Sequence, residues 1–384
     1  MSDRTRGPIR WGMVGGGIGG FIGEAHRMAA RLDGRFELIA GALSSDAERA
    51  RQSAAQCFIA PERAYTDYRE MAKAEAARAD GIEAVTIATP NVSHHAIAAA
   101  FLDEGIAVIC DKPLATSVAD GEDLVGRAAR AQRLLGVTYN YSGYPMIRHA
   151  RNLVAEGVIG KVRLVNAEFA LGWLAAPLEQ EGVKQAWRTD PGTAGPSGAV
   201  ADIGTHAYHL MRFVTGLEVQ TLAADLSTMV EDRRLEDNAN ILLRFKSGAR
   251  GMLWASMVAA GESVGFRLRV YGETGHVAWD EAFPDRLHLR MLDGTDQTLH
   301  RGARLSASAK RATRLVTGLP EGFIEAFANL YADYAEQIEA RREGRAPDPS
   351  SLIAPTGADG VDALAFVEAV LKSGLADASW VALD

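Results

Sequence analysis

Between an apolar run, Ile9 to Val14, and a helix-period segment, Gly20 to Leu32, stands Met13-Val14-Gly15-Gly16-Gly17-Ile18-Gly19-Gly20. Gly15, Gly17 and Gly20 match G-x-G-x-x-G in the strand–turn–helix setting that gives the pattern its meaning. One glycine permits the tight turn, the next lets the backbone approach a pyrophosphate, and the third lets helix and strand close-pack. Free N–H groups and the helix dipole then favour an anion at the helix start. Ile18 and Phe21, which flank the turn, are cofactor-side candidates with the three glycines. A loop of this kind predicts a parallel sheet with crossover helices.

The following residues carry that pattern on. Phe36 to Ala42 reads as a second strand, Asp46 to Gln56 as a helix, Cys57 to Ala60 as a short apolar segment, and Tyr68 to Ala79 as a helix. Ala84 to Ala88, Ala107 to Cys110 and Leu134 to Thr138 are further strands, alternating with helices Ser93 to Glu104 and Val118 to Gln132. Short β-branched runs between helical segments build a doubly wound α/β half. From Tyr139 onward the texture becomes longer alternating runs: Val162 to Trp173, Val219 to Val230, Asn238 to Phe245, Arg250 to Val258, Gly265 to Tyr271 and Arg286 to Leu292. Turn signals such as Lys246-Ser247-Gly248 separate them, so a large, open, mostly antiparallel sheet is expected. Two helices, about Glu321 to Arg342 and Val361 to Ser373, close the chain. The expected domains are 1–138, a Rossmann domain, and 139–384, an α/β domain for substrate and, through its open sheet, for homodimer or homotetramer formation.

Composition removes several function classes. A formal charge of −8 without a basic stripe argues against nucleic acid. No run approaches the roughly 18 apolar residues of a membrane span, and the first residues lack the apolar stretch of a signal peptide. A cytoplasmic enzyme is the expectation. Cys57 and Cys110, far apart among apolar residues, read as small buried hydrophobes.

Strand ends in such a half are where ligands collect. The second strand runs into Gly41-Ala42-Leu43-Ser44-Ser45, with Asp46 late and Arg49 a turn further. Ser44 and Ser45 suit a ribose hydroxyl or a phosphate equally, so residue chemistry leaves NAD and NADP both open. Thr89-Pro90-Asn91, after the strand Ala84 to Ala88, suits contacts to a cofactor, with His94 close behind; an ordinary Pro turn with Asn91 capping the helix fits as well.

Three motifs in order are the glycine loop, Cys110-Asp111-Lys112-Pro113 after a strand, and Asp202-Ile203-Gly204-Thr205-His206. With these the chain resembles the glucose-fructose oxidoreductase, inositol dehydrogenase and rhizopine catabolism family, Gfo/Idh/MocA, over nearly its whole length. The runs Asn140 to Met146, Lys184 to Pro191 and Pro320-Glu321-Gly322 resemble its L-glucose, scyllo-inositol and levoglucosan dehydrogenase branch. The resemblance implies a Rossmann domain followed by an open-sheet α/β domain with the active site between them, NAD as cofactor, and Asp111 and Asn140 among the cofactor contacts. Asp-Lys-Pro replaces the family's usual Glu-Lys-Pro. Leu171 and Met257 stand where sugar-oxidising relatives carry glutamine, which loosens the substrate assignment.

Moving hydride from a carbinol carbon needs a base for the hydroxyl proton and a donor for the oxygen. Lys112 suits the donor's task. Asp202 and His206 are four residues apart, so a helix beginning near Asp202 puts them on one face. There the carboxylate can orient an imidazole that takes the proton near neutral pH. A helix cap and a packed histidine account for the same spacing. His209 makes an Asp-His-His metal set conceivable, but nicotinamide chemistry needs none and no metal is expected. Tyr141, Lys184, Trp187 and Arg188 are substrate-side candidates, as are Lys112, Asp202 and His206. The leading expectation is an NAD-dependent dehydrogenase acting at C1 or C3 of a sugar, cyclitol or glycoside. Two readings compete with it: an NAD-dependent glycoside hydrolase working by transient C3 oxidation, and a non-enzymatic dinucleotide-binding regulator.

Overall fold

A computed structural model describes residues 7–177, 186–302 and 304–383, with the backbone alone described at 186 and 187. Two compact units emerge. One comprises the residues up to Ala115, Ala119–Gly143 and Phe323–Gly360; the other comprises Thr116–Val118, Tyr144–Gly322 and the residues from Val361 onward. A division at 138/139 gives two continuous pieces, whereas the observed units exchange a C-terminal segment. The reason is packing that no local pattern reveals: Tyr331 and Tyr334, on helix Phe323–Glu343, are buried in the first unit's core.

In the first unit, β1 (Ile9–Gly15), β2 (Phe36–Ala42), β3 (Ala84–Ala88), β4 (Ala107–Cys110) and β5 (Leu135–Val137) form a sheet of order β2-β1-β3-β4-β5 with every pair parallel. β3 and β4 are buried at every position, as strands covered on both faces require. Between them run α1 (Phe21–Leu32), α2 (Ala47–Gln56), α3 (Tyr68–Ala76), α4 (His94–Asp103) and α5 (Val118–Ala131). Asp46 caps α2 and Asp67 caps α3 through backbone N–H groups. The segment Cys57 to Ala60 forms no strand; Phe58 turns there with φ 61° while Cys57 is buried. Order reverses between β1 and β3, so the carboxyl ends of these strands form the crevice where an open α/β sheet holds ligand.

Among the described residues the second unit has nine strands: β6 (Leu164–Ala170), β7 (Val219–Ser227), β8 (Asn238–Phe245), β9 (Arg250–Ser256), β10 (Gly265–Tyr271), β11 (Gly275–Asp280), β12 (Arg286–Met291), β13 (Asp296–His300) and β14 (Val381–Ala382). Their order is β13-β12-β11-β10-β6-β9-β8-β7-β14. All neighbours are antiparallel except β6 and β9. α6 (Pro145–Ala155) and helix Thr205–Thr215 pack on one face. On the other, Leu164, Leu242, Met252 and Trp254 are exposed. β13 escapes sequence reading because it is exposed almost throughout and so carries no apolar alternation. No described helix is long and apolar enough to cross a membrane.

Candidate functional site

The glycine loop is built by steric exclusion. Gly15 has φ +77°, and a Cβ there would lie 2.5 Å from both the Ala88 carbonyl oxygen and Thr89 Cγ2. A Cβ on Gly17 would lie 2.7 Å from the Leu43 oxygen and 2.7 Å from Ser53 Oγ. Buried Ser53 accepts the Ile18 N–H at 3.2 Å, which ties the loop to α2. Gly20 is the N-cap of α1 and makes no side-chain capping bond. A close helix–loop approach is also made by Gly23, where a Cβ would lie under 3.0 Å from the Gly16 Cα. Arg27 donates to the Gly16 carbonyl and holds the approach. Phe21 is exposed and its ring lies 6.3 Å from that of Phe323, while Ile18 is at the margin of exposure.

At the end of β2, Ser44 Oγ accepts the Asp46 N–H at 3.2 Å, and the Asp46 carboxylate accepts the Arg49 N–H at 2.8 Å. Asp46 is thus engaged at the start of α2, and Ser45 is exposed beside it. After β3, Ser93 donates to Thr89 Oγ1 or to the Pro90 carbonyl, 2.7 Å from each. Asn91 opens a short turn, but Ser93 occupies the cap position of α4. Buried His94 places its ring nitrogens 2.7 Å from the Pro113 carbonyl and 2.9 Å from that of Thr89. That histidine ties two loops together.

Asp111 follows β4 directly. Its Oδ1 accepts the Thr138 hydroxyl at 2.8 Å and the Lys112 backbone N–H at 3.0 Å, and stands 3.8 Å from His26 Nε2. Burial opposes its ionisation, but His26, Lys112 and Thr138 outweigh burial and hold the carboxyl well below the usual carboxylate range. Lys112 is half-buried at this edge. Asn140 and Tyr141, in the turn Asn140–Gly143, are both buried, and Asn140 Nδ2 has no hydrogen-bond partner. A turn-forming loop without room for a Cβ, together with an orphaned buried amide at the same sheet edge, fits a dinucleotide with a carboxamide.

In the second unit the helix carrying His206 begins irregularly. Val200–Gly204 is a π-helical turn, and regular α-helix runs from Thr205 to Thr215. Asp202 therefore lies inside the helical segment and not at its cap, and a single π turn of this kind is a recurrent feature of functional sites. Arg188 Nε is 3.7 Å from Asp202 Oδ2, and its guanidinium lies 5.7 Å from the Trp173 ring centre. His206 is buried with its ring 6.3 Å from Phe169. His209, also buried, stacks on Phe213. Among the described residues no group of three His, Cys, Asp or Glu side chains is placed to hold a metal ion. Met257 is buried, and Leu171 donates its N–H to the Ser256 carbonyl at 2.7 Å. Lys184 and the Trp187 side chain lie outside the described residues.

Sequence reading missed the residues that hold the π turn. Glu236 Oε1 accepts the Ser197 hydroxyl at 2.6 Å, the Gly198 N–H at 2.8 Å and the Val200 N–H at 3.2 Å. Burial raises its pKa and these bonds counter it. Arg233 and Asp237, side chains 1% exposed, pair at 3.0 Å, and Arg233 also donates to the Leu174 carbonyl. Their sole signal was a charged run, Arg233 to Asp237, just before a strand, and such runs are ordinarily solvated. Glu281, hydrogen-bonded to Tyr144, is pushed up to about 7 by burial and by the charge of Asp280.

A lysine beside an ionised carboxylate in one unit, and in the other a carboxylate beside a guanidinium with a buried histidine further along the same helical segment, are groups suited to proton and hydride chemistry on an alcohol. Residues 9–139 match the oxidoreductase family model of the NAD-binding Rossmann fold, and residues 147–278 match the GFO/IDH/MocA C-terminal domain. The chain is 35% identical to the uncharacterized oxidoreductase YfiI of Bacillus subtilis, over 97% of this chain and 96% of that one. It is 26% identical to levoglucosan dehydrogenase of Pseudarthrobacter phenanthrenivorans, covering 96% of this chain and 97% of the relative. An inositol dehydrogenase homolog from Azotobacter vinelandii, solved with NADH and myo-inositol, superposes with a TM-score of 0.91 at 37% identity, covering 99% of this chain and 98% of that one.

Proposed function

Because the chain belongs to the Gfo/Idh/MocA oxidoreductase family, we propose that it is an NAD-dependent dehydrogenase acting on one carbinol carbon of a sugar, cyclitol or glycoside. The observation that carries this reading is Lys112, placed directly after β4 at the carboxyl edge of an NAD-binding sheet and next to an ionised Asp111. Its ammonium donates hydrogen bonds to the reacting oxygen and stabilises the charge that develops there. His206 takes the hydroxyl proton through a ring nitrogen, and Asp202 orients that ring. Arg188 stands 3.7 Å from Asp202. Tyr141, Lys184, Trp187 and Arg188 are assigned to substrate.

NAD, when bound, would supply the hydride acceptor. The backbone around Gly15, Gly17, Ile18 and Gly20 would approach its pyrophosphate, although the Ile18 N–H is given to Ser53 and the Gly20 N–H to the Gly17 carbonyl, and Phe21 would lie beside it. Ser44 and Ser45 take the ribose, while Thr89, Asn91, Asp111 and Asn140 line the nicotinamide side, with His94 holding the loops in place. NAD is preferred to NADP on the family's evidence. The buried, unbridged thiols Cys57 and Cys110 suit work in the cytoplasm. The exposed sheet face, with Leu242, Met252, Trp254 and Trp380 about a hollow of 450 Å³, is assigned to a homodimer or homotetramer.

The test is a panel of polyols, sugars and glycosides with NAD and NADP, following reduced cofactor and released aglycone together. Stoichiometric NADH with a cyclic polyol or sugar is expected. Aglycone release without net NADH makes the enzyme a glycoside hydrolase instead, and tight NAD binding without turnover makes it a regulator.

A further inference from the structure

Behind Asp111 and Lys112 lies a histidine that the proposed chemistry does not use. His26, on α1, is 0% exposed. Its Nδ1 is 2.8 Å from the Tyr331 hydroxyl, which is 2.8 Å from Thr86 Oγ1. Thr86 Oγ1 in turn accepts the indole N–H of Trp11 at 2.9 Å. At the other end, His26 Nε2 faces Asp111 Oδ1 at 3.8 Å, the oxygen that also accepts from Thr138 and from the Lys112 backbone. Every member of this chain of contacts belongs to the first unit.

Its polarity is set at the far end. An indole nitrogen is a donor only, so Thr86 Oγ1 accepts there and needs an acceptor for its own proton. Thr86 is 0% exposed, and the Tyr331 oxygen, 2.8 Å away, is that acceptor. Tyr331, having accepted from Thr86, donates to His26 Nδ1. The imidazole proton therefore sits on Nε2, aimed at Asp111. The reverse polarity would leave the Thr86 proton buried without an acceptor.

We propose that His26 is a positioning residue for the Lys112 motif, held by Trp11, Thr86 and Tyr331 so that it presents an N–H to Asp111. The carboxylate accepts hydrogen bonds from Thr138 and from the Lys112 backbone, while the His26 N–H faces it at 3.8 Å, an electrostatic contact and not a hydrogen bond, and the loop that begins at Lys112 starts from a fixed point. The effect on turnover rests on the reading of Lys112 given above; the tautomer does not.

The experiment uses the full chain labelled with ¹⁵N-histidine, with His26 assigned by comparison with His26→Gln. The expected ring is the Nε2–H tautomer with an unprotonated Nδ1. Tyr331→Phe removes the donor to Nδ1, so the tautomer becomes mixed and kcat falls roughly tenfold, with the NADH Kd within about twofold of the parent. Thr86→Val, which keeps the tyrosine hydroxyl but frees its direction, moves both readouts the same way, and Thr86→Ser restores them. An Nδ1–H or doubly protonated ring in the parent overturns the proposal, and so does a shifted tautomer with unchanged kcat. Lys112→Ala is measured alongside: wild-type turnover in that variant defeats the Lys112 reading and leaves the His26 tautomer standing.

Discussion

Gly23→Ala tests the physical basis of the cofactor loop, because the expected sign of its effect depends on tertiary packing alone. Within a helix, alanine is favoured over glycine by about 0.5–1 kcal/mol. At this position the new methyl would lie under 3.0 Å from the Gly16 Cα and 2.7 Å from its carbonyl carbon, both of them backbone atoms. Backbone cannot rotate aside as a side chain does, so overpacking at the upper part of the usual range, about 1–3 kcal/mol, outweighs the propensity gain. A net loss of about 1–2 kcal/mol follows. To restore an ordinary contact of 3.4 Å the loop must retreat, by about 1 Å, which displaces the backbone proposed above to approach the pyrophosphate, so NADH affinity is expected to fall about tenfold or more. Urea unfolding and a fluorescence titration with NADH measure the two effects. The control is Gly126→Ala on α5, where a Cβ meets only the end of the Arg130 side chain at 3.3 Å; it should stabilise by about 0.5–1 kcal/mol with affinity unchanged. Equal stability and equal NADH affinity in parent and Gly23→Ala would refute the reasoning.

Other outcomes follow from the same geometry. Lys112→Ala should leave NADH affinity within several-fold while turnover falls by about 10²–10⁴, and an unchanged rate removes Lys112 from the chemistry. Glu281, raised from 4.5 to about 7, binds its proton more tightly folded than unfolded. Its contribution is therefore fully present below pH 4.5 and is lost as pH rises toward 7, by up to roughly 3 kcal/mol. Glu281→Gln should flatten the stability profile over that range, and an identical profile in urea titrations at several pH values counts against the assignment. Asp237→Asn removes the carboxylate that meets the buried Arg233 guanidinium at 3.0 Å and should cost about 3–5 kcal/mol; a midpoint within experimental error of the parent would show that the pair is dispensable.

Much of the fold was legible because local periodicity and global packing agree. The first four strands of the parallel sheet lie within a residue of their expected ends, and β8 and β10 coincide with the runs Asn238 to Phe245 and Gly265 to Tyr271. Gly105, the residue just after the expected helix Ser93 to Glu104, has φ 71°. Agreement fails where one of the two is silent. β13 has no buried face to impose alternation, and the π turn at Val200–Gly204 depends on the grip of Glu236, which is remote in sequence.

Determined by the sequence alone were the strand–glycine–helix turn, the order of its elements, and the residue types able to serve hydride transfer, since each rests on backbone freedom, side-chain period or functional group. The tertiary structure decided which glycine closes on which, that Asp202 sits within a helix and not at its cap, and that the half-buried Asp111 carboxyl is held well below the usual carboxylate range. It also returned helix Phe323–Glu343 to the first unit. These depend on distances between segments far apart along the chain, where hydrogen-bond partners and excluded volume, unlike periodicity, leave no local trace.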